Sequence, residues 1–186
     1  MTDPPFLAGH LLLSMPGIGD PRFERVVIAM CLHDADGAFG LVVNSPSPLS
    51  VRTLMAQQGI DGSRVPAEVP VLAGGPVEPQ RGFVLHSLDY EGQSTIFVDG
   101  KWAMTATLDV LKAIAAGRGP EQWIAAMGYT GWGPGQLDGE LLRHGWQVAP
   151  GDPALVFDSP WAERWPAAYG GIGINVGQLS ATPGRA

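Results

Sequence analysis

The sequence predicts an α+β fold built on a bent, largely antiparallel sheet. Hairpin-like pairs of apolar segments dominate about the first hundred residues, and helices mixed with short strands follow. The segments keep no strict strand–helix–strand order, which favours an α+β arrangement. The 186 residues, 45% hydrophobic and 16% charged, are enough to bury a core without disulfides. We therefore expect one domain over residues 1–186.

Polar turns between apolar segments predict two β-hairpins. In the first, a strand over residues 26–32 is linked by the turn 33–37 to a strand over residues 39–44. In the second, strands over residues 95–98 and 102–105 flank Asp99-Gly100, which is a strong two-residue turn signal. Further strands are predicted at residues 9–14, 69–73, 82–86, 129–132 and 146–149.

Capping residues and apolar periodicity predict the helices. Ser50 can cap a helix over residues 51–58, and Thr107 can cap one over residues 108–116. Pro120 suits the first turn of a helix over residues 120–127. A glycine follows each of these segments and can end it. Two more helices are predicted at residues 135–145 and 159–170.

The charge distribution bears on partners and location. The chain has 11 basic and 18 acidic residues, a net charge of −7, and no two Lys or Arg are adjacent. A DNA-binding surface needs clustered cations, so we expect no direct binding to nucleic acid. No apolar run approaches the roughly 20 residues that span a bilayer, and the start lacks the basic region of a signal peptide. We therefore expect a cytoplasmic protein that does not bind membranes.

The sequence shows no pattern typical of a metal or cofactor site. Cys31 is the only cysteine and lies in an apolar run, so we expect a buried thiol. The four histidines are far apart, and residues 33–37 lack the later ligands of a calcium loop. Neither a phosphate-binding loop nor a nucleophile elbow is present. We expect no metal and no cofactor.

The segment 128–137 combines four glycines with two aromatic residues just before a predicted helix. Glycine at this density indicates tight turns or close contact with another surface. Tyr129 and Trp132 are either core or lid aromatics, or an exposed anchor for a partner. The backbone N–H groups at the helix start could also receive an anion, and the other interpretation is a purely structural turn.

Four segments together resemble the YqgE/AlgH family of bacterial proteins. They are MPGIGDPRFER at residues 15–25, GLVVN at 40–44 with Pro46 beyond it, GGPVE at 74–78 continuing to RGFVLH at 81–86, and GYTGWGPGQL at 128–137. The resemblance implies a bifurcated sheet curled into a pseudo-barrel, helices packed outside it, and a location in the bacterial cytosol. Some members are labelled transcriptional regulators. The family supplies no established catalytic residue, so none is transferred. Residues 169–173 are richer in glycine than the family pattern, which puts the length of the last helix in question.

Polar and aromatic residues near the glycine-rich breaks are the candidates for a binding surface. We expect the segments 15–24 and 128–136 to form it together. The structural alternatives are a turn-stabilising hydrogen bond from Asn44, a hydrogen-bonded strand edge for His86, and ordinary helix surface for the polar residues after the glycine-rich segment. The candidates are Asp20, Arg22, Glu24, Asn44, His86, Tyr129, Trp132, Gln136 and Glu140.

Three functions remain open at this point. The first is a non-enzymatic binding or regulatory module that acts through protein partners. The second is a small-molecule enzyme, for which Asp20, Glu24, His86 and Glu140 must converge in a cleft. The third is direct transcriptional control, taken from the family label, against which the acidic composition weighs.

Overall fold

The computed structural model describes residues 6–16, 20–143 and 145–178, except for the side chains of Arg22 and Gln178. Residues 17–19 of the first family motif, His144 and the two ends of the chain lie outside this description. The strands are β1 (Leu11–Ser14), β2 (Val27–Asp34), β3 (Gly37–Val42), β4 (Pro46–Ser50), β5 (Pro70–Ala73), β6 (Val77–His86), β7 (Ile96–Val98), β8 (Trp102–Thr105), β9 (Trp123–Trp132) and β10 (Trp146–Ala149). The α-helices are α1 (Val51–Gln57), α2 (Asp109–Ala115), α3 (Gln136–Leu142), α4 (Pro153–Phe157) and α5 (Arg164–Gly171).

The strands form one mixed sheet that divides at β9. Its main order is β10-β1-β2-β3-β9-β6-β8-β7, with antiparallel neighbours throughout. One edge of β9 pairs with β6, while the other pairs with β5 at Ala126 and with β3 at Thr130. The β5–β9 pair is parallel, and β4 adds to the outer edge of β5. The predicted bifurcation of a largely antiparallel sheet is confirmed.

The sheet also curls towards itself without closing. The indole of Trp102 on β8 donates to the carbonyl of Met30 on β2 at 3.2 Å, although three strands separate β8 from β2 in the sheet order. The turn between β7 and β8 approaches the chain ahead of β1, where Gly9 lies against Asp99. This curl is the expected pseudo-barrel.

Alternating side chains place apolar residues on both faces of the strands. Leu11 and Leu13 belong to the inner core, whereas Leu12 between them belongs to a separate cluster with α3. Helices α1 and α2 cover a third cluster over β5, β6 and β9. Helices α4 and α5 contribute to the inner core itself, through residues such as Tyr169. Within the described ranges, no helix is both long and apolar enough to cross a membrane.

Elements with strong local signals form where the sequence predicts them. Both hairpins are present, and Asp99 and Gly100 turn the second one with φ angles of +48° and +67°. Ser50 caps α1, because its hydroxyl accepts from the backbone N–H of Thr53 at 3.1 Å.

The helix predicted over residues 120–127 is wrong. Those residues enter β9, which continues without interruption to Trp132. The run Ile124–Met127 contains good helix formers, but β5 and β6 pair with both of its edges and bury three of its four side chains. Tertiary pairing therefore overrides local propensity.

Smaller differences have local causes. Thr107 does not cap α2, since its hydroxyl donates to the carboxylate of Asp109 and no side chain caps the helix. The last helix starts later than predicted, after a 3-10 turn at Trp161–Glu163, and Gly170 lies within it. No pattern in the sequence predicted β4 or α4. Asp152 nevertheless caps α4 in a recognisable way, by accepting from the N–H of Ala154 at 3.1 Å.

Gly128 allows the backbones to meet at the division of the sheet. Its φ is +78°, and a Cβ there would overlap the carbonyl oxygen of Gly75. Gly59 has a similar φ of +71°, but nothing lies within 4 Å of its Cβ position. Comparing an alanine substitution at each position therefore separates the cost of a steric overlap from the cost of a left-handed backbone conformation.

We expect Gly128→Ala to lower the free energy of unfolding by about 3 kcal/mol or more, because backbone must shift to admit the methyl group. Gly59→Ala should lose only about 1 kcal/mol, the cost of the left-handed conformation. Urea denaturation of both variants measures the difference. Equal losses would show that the contact at the division of the sheet is not tight.

Candidate functional site

A surface cavity of about 440 Å³ lies where α3 packs against the end of β9. Its floor contains the rings of Trp132 and Trp146, which meet edge to face with centroids 6.2 Å apart. Phe23 extends this aromatic floor, at 5.5 Å from Trp146. The other described lining residues are Asp20, Pro76, Val77, Thr130, Gly131, Gln136, Glu140, Arg143 and Gly145.

Glu140 organises the polar side of this cavity. Its Oε2 accepts from the indole Nε1 of Trp132 and from that of Trp146, each at 2.9 Å. Its Oε1 accepts from the Gln136 amide at 3.2 Å, and Gln136 in turn accepts from the N–H of Gly133 at 2.9 Å. Three donors thus hold one half-buried carboxylate in a single position.

Thr130 contributes a buried hydroxyl without a partner. The residue is 3% exposed, and its Oγ1 makes no hydrogen bond within the described chain. Thr130 shares a strand face with Trp132, two residues further along β9, and both line the cavity. A buried hydroxyl left unpaired costs about 1–3 kcal/mol, so this position calls for an explanation.

The structure brings together four of the nine predicted site residues. Asp20, Trp132, Gln136 and Glu140 all line the cavity, so the segments 20–24 and 128–136 do lie side by side. Trp132 is a largely buried floor residue at 7% exposed, and not a protruding anchor. Gln136 and Glu140 share a helix face as expected, but Glu140 binds two indoles and is more than ordinary helix surface.

Glu24 does not belong to this set. Glu24 is exposed and does not line the cavity. The side chain of Arg22 lies outside the described residues.

His86 lies away from the cavity, so the acid–base constellation expected for the enzyme hypothesis is wrong. It pairs with Trp123 at the start of β9, whereas Glu140 contacts Trp132 at the other end of that ten-residue strand. Its ring is fully buried and bonded on both nitrogens, to the Ser87 carbonyl and the Thr105 hydroxyl, each at 2.7 Å.

The hydrogen bonds around His86 favour a neutral imidazole. The N–H of Gly92 donates to the Thr95 hydroxyl, which bonds to that of Thr105 at 2.7 Å. This series of hydrogen bonds starts at the Gly92 N–H, which can only donate, and ends at the Ser87 carbonyl, which can only accept. It is therefore consistent with a neutral imidazole that donates through Nδ1. Burial accordingly lowers the pKa of His86 below the usual 6.5, although the Ser87 bond and the charge of Asp89 partly oppose this.

Asn44 and Tyr129 have structural contacts elsewhere. Asn44 bridges two segments, accepting from the N–H of Val27 at 2.9 Å and donating to the Arg25 carbonyl at 2.8 Å. These contacts are structural, as the alternative to a binding role supposed, but they are long-range and do not form a local turn bond. Tyr129 points to the opposite face of β9 from Trp132 and stacks on Phe39 with centroids 4.7 Å apart.

Several residues that line the cavity were not among the predicted site residues. Arg143 could have been found, because it follows Glu140 by three positions and lies at the C-cap of α3. Thr130 lies within the conspicuous segment 128–137, but nothing in the sequence singles out its hydroxyl. Trp146 carried no local signal, since its role depends on long-range packing. No group of three or more potential metal ligands occurs in the described ranges. Cys31 is buried as expected, and burial raises the pKa of its thiol to about 12.

We expect Thr130→Val to raise the free energy of unfolding by about 1 kcal/mol, because valine removes an unpaired buried hydroxyl. Thr105→Val is the matched control, at a strand threonine 1% exposed whose hydroxyl bonds to His86 and Thr95. That control should lose about 1–3 kcal/mol in the same urea titration. A comparable loss in Thr130→Val would mean that its hydroxyl has a partner in the native protein.

The lowered pKa of His86 predicts a pH dependence of stability. The unfolded chain binds a proton near pH 6.5 that the folded chain takes up only at lower pH, so stability falls as pH drops through 6.5. For one proton the slope cannot exceed about 1.4 kcal/mol per pH unit. In urea titrations between pH 7.5 and about 5, the free energy of unfolding of His86→Gln should depend less on pH than that of the wild-type protein. Parallel profiles would contradict the assignment.

Comparisons with known proteins agree with this architecture. The family model described as AlgH-like matches residues 11–177. A UPF0301 protein from Sphingopyxis alaskensis is 49% identical, with 100% of this chain and 99% of that protein covered. One from Rhizorhabdus wittichii is 50% identical and fully covered in both directions.

Solved structures extend the similarity to three dimensions. The solution structure of the AlgH protein from Pseudomonas aeruginosa is 40% identical, with a TM-score of 0.79 and coverage of 100% of this chain and 99% of that one. A protein from Corynebacterium diphtheriae, at 21% identity, shares the fold with a TM-score of 0.72 over 90% of this chain and 87% of that chain. The resemblance found in the sequence motifs is confirmed, and the chain belongs to the AlgH-like family.

Proposed function

We propose that this chain is a non-catalytic binding module whose protein partner docks over the cavity between α3 and the end of β9, which we call the Trp132 cavity. The observation that carries the proposal is the convergence of three chain segments around one aromatic floor. Phe23 comes from the loop before β2, Val77 from the start of β6, and Gln136 from α3. Sites assembled on a rigid scaffold from separate segments are typical of recognition surfaces.

The chemistry of the cavity favours binding over catalysis. Glu140 is held by three donors and is therefore positioned as a fixed acceptor and not as a free general base. Thr130 has the hydroxyl of a nucleophile, but no base among the described residues activates it. Buried aromatic residues with a polar rim are instead the usual anatomy of a protein interface.

The rim also exposes apolar surface suited to a partner. Val77 lines the cavity and is one of the large hydrophobic residues left exposed. Leu142, on α3 but outside the lining, is 81% exposed. Regulation would then act through this partner and not by contact with nucleic acid, which the net charge of −7 disfavours.

The test is a photo-crosslinking amino acid placed at Gln136 and, as a control, at Gln57. Both are exposed glutamines on helices, but only Gln136 lines the cavity. In the native cell we expect a discrete protein adduct from position 136 and none from position 57. No adduct at position 136, or the same adducts from both positions, would overturn the proposal.

A further inference from the structure

We propose that a second cavity, between α1 and α2, binds a small uncharged molecule with an apolar body of about ten carbon atoms. We call this space the α1–α2 cavity. It has a volume of about 290 Å³, and none of its described lining residues also lines the Trp132 cavity. Its occupant is identified by the chemistry of the lining, by the volume and by a glycine that the fold does not require.

The floor of the α1–α2 cavity is the helix-covered face of the sheet. Val84 on β6 stands opposite Ala125 on β9 and Thr105 on β8, so each of three strands directs one side chain to this face. Leu54 of α1 and Leu111 of α2 line the cavity from above. All of these residues except Thr105 belong to one buried apolar cluster. The cavity is therefore a space within packed apolar side chains.

The interior offers no charge and no available hydroxyl. None of the described lining residues is ionisable, although 16% of the chain is charged. The hydroxyl of Thr105 is bonded to His86 and Thr95, each at 2.7 Å. The hydroxyl of Thr107 donates to Asp109. An ion or a polar group held inside would lose its hydration without gaining a side-chain partner, so the interior selects an uncharged apolar occupant.

Exposed lining residues mark the opening of the α1–α2 cavity. Gln58, just after α1, and Gln80 on β6 both line it and are exposed. Their side-chain amides make no hydrogen bond within the described chain, so they can pair with a polar group at one end of a ligand. Leu108, 46% exposed, adds apolar surface beside the start of α2. A ligand can thus enter with its apolar end first and keep a hydroxyl at the opening.

The volume sets the size of the ligand. An apolar cavity of about 150 Å³ holds benzene, a molecule of about six carbon atoms. By the same ratio, the α1–α2 cavity of about 290 Å³ holds about ten to twelve carbon atoms. It lies at the lower limit of the sizes found for small-molecule pockets. A medium-length aliphatic chain therefore fits.

Gly82 is an independent indication that this space is kept open. It precedes Val84 by two residues on β6, so its side-chain position faces the cavity that it lines. It ends the irregular stretch of β6 that begins after Val77, but its φ is not left-handed. A Cβ there would meet only the sulfur of Met127, at 3.4 Å, whereas one at Gly128 would overlap backbone. Glycine weakens a strand, and one reason for its presence is the close approach of a ligand.

The test is a titration with 1-octanol, followed by the methyl signals of the ¹³C-labelled chain in NMR spectra. We expect the signals of Leu54, Val84 and Leu111 to shift with a dissociation constant of about 0.1–1 mM. The signals of Leu142, 81% exposed and remote from this lining, should stay unchanged. An absence of shifts at the three lining residues, or equal shifts at Leu142, would overturn the inference.

Three related probes test the chemistry of the ligand. 1-Hexanol should bind about tenfold more weakly than 1-octanol, because two buried methylene groups are lost. 1,8-Octanediol should bind at least about tenfold more weakly, because its inner hydroxyl finds no available partner. Octanoate should also bind more weakly, since no basic group is among the described lining residues. Equal or tighter binding of the diol or of octanoate would contradict an uncharged apolar occupant.

Two variants of Gly82 test the role of the open space. Gly82→Ala should weaken binding of 1-octanol about threefold and Gly82→Val at least about tenfold, because the added groups occupy the cavity. Gly82→Val should not lower the urea midpoint, since valine suits a strand better than glycine does. Gly131→Ala is the matched control, at a strand glycine without a left-handed φ that lines the Trp132 cavity, and it should leave binding unchanged.

Two results would overturn this assignment of Gly82. A lower urea midpoint for Gly82→Val would show that the fold itself requires glycine there. Equal affinity of the wild-type protein and Gly82→Ala, or equal weakening by Gly131→Ala, would show that 1-octanol binds elsewhere.

Discussion

The close approach of two glycine-containing segments at β9 determines the shape of the sheet. Gly74 donates to the carbonyl of Met127 at 2.8 Å and accepts from the N–H of Val42 at 2.9 Å, so one residue links β9 to the end of β3. A Cβ on Gly74 would overlap the carbonyl of Gly128, and one on Gly128 would overlap that of Gly75. Glycine here is a steric requirement of the division of the sheet. Two motifs that are distant in the sequence therefore form one structural feature.

That division also positions the cavity. Beyond it, β9 leaves β5 and pairs with β3, so its last residues turn one face towards α3 and the other towards the inner core. Trp132 stands on the face towards α3, and Trp146 comes from β10, which three strands separate from β9 in the sheet order. Glu140 joins the two indoles directly. The carboxylate is thus a tertiary link as well as a part of the cavity wall.

The sequence predicted the elements whose signals are local and failed where pairing partners decide the structure. Hairpins with turn residues and a helix with a serine cap formed as expected, because a few neighbouring residues determine them. The run 124–127 became the centre of β9, since β5 and β6 occupy both of its edges. The same distinction holds at the site. Thr130, Trp132 and Gln136 stand in a conspicuous glycine-rich segment, whereas Trp146 acquires its place only through the fold.

The charge of Glu140 does not by itself indicate a ligand. Two indoles and one amide donate to it, and a glutamine at that position would offer one acceptor oxygen in place of two, so the fold alone explains a carboxylate there. Thr130 differs, because no contact within the described chain uses its hydroxyl. Valine would suit a buried strand position better and would leave no unpaired donor or acceptor. The hydroxyl of Thr130 is therefore the polar group at the cavity wall that the contacts of the described chain leave unexplained.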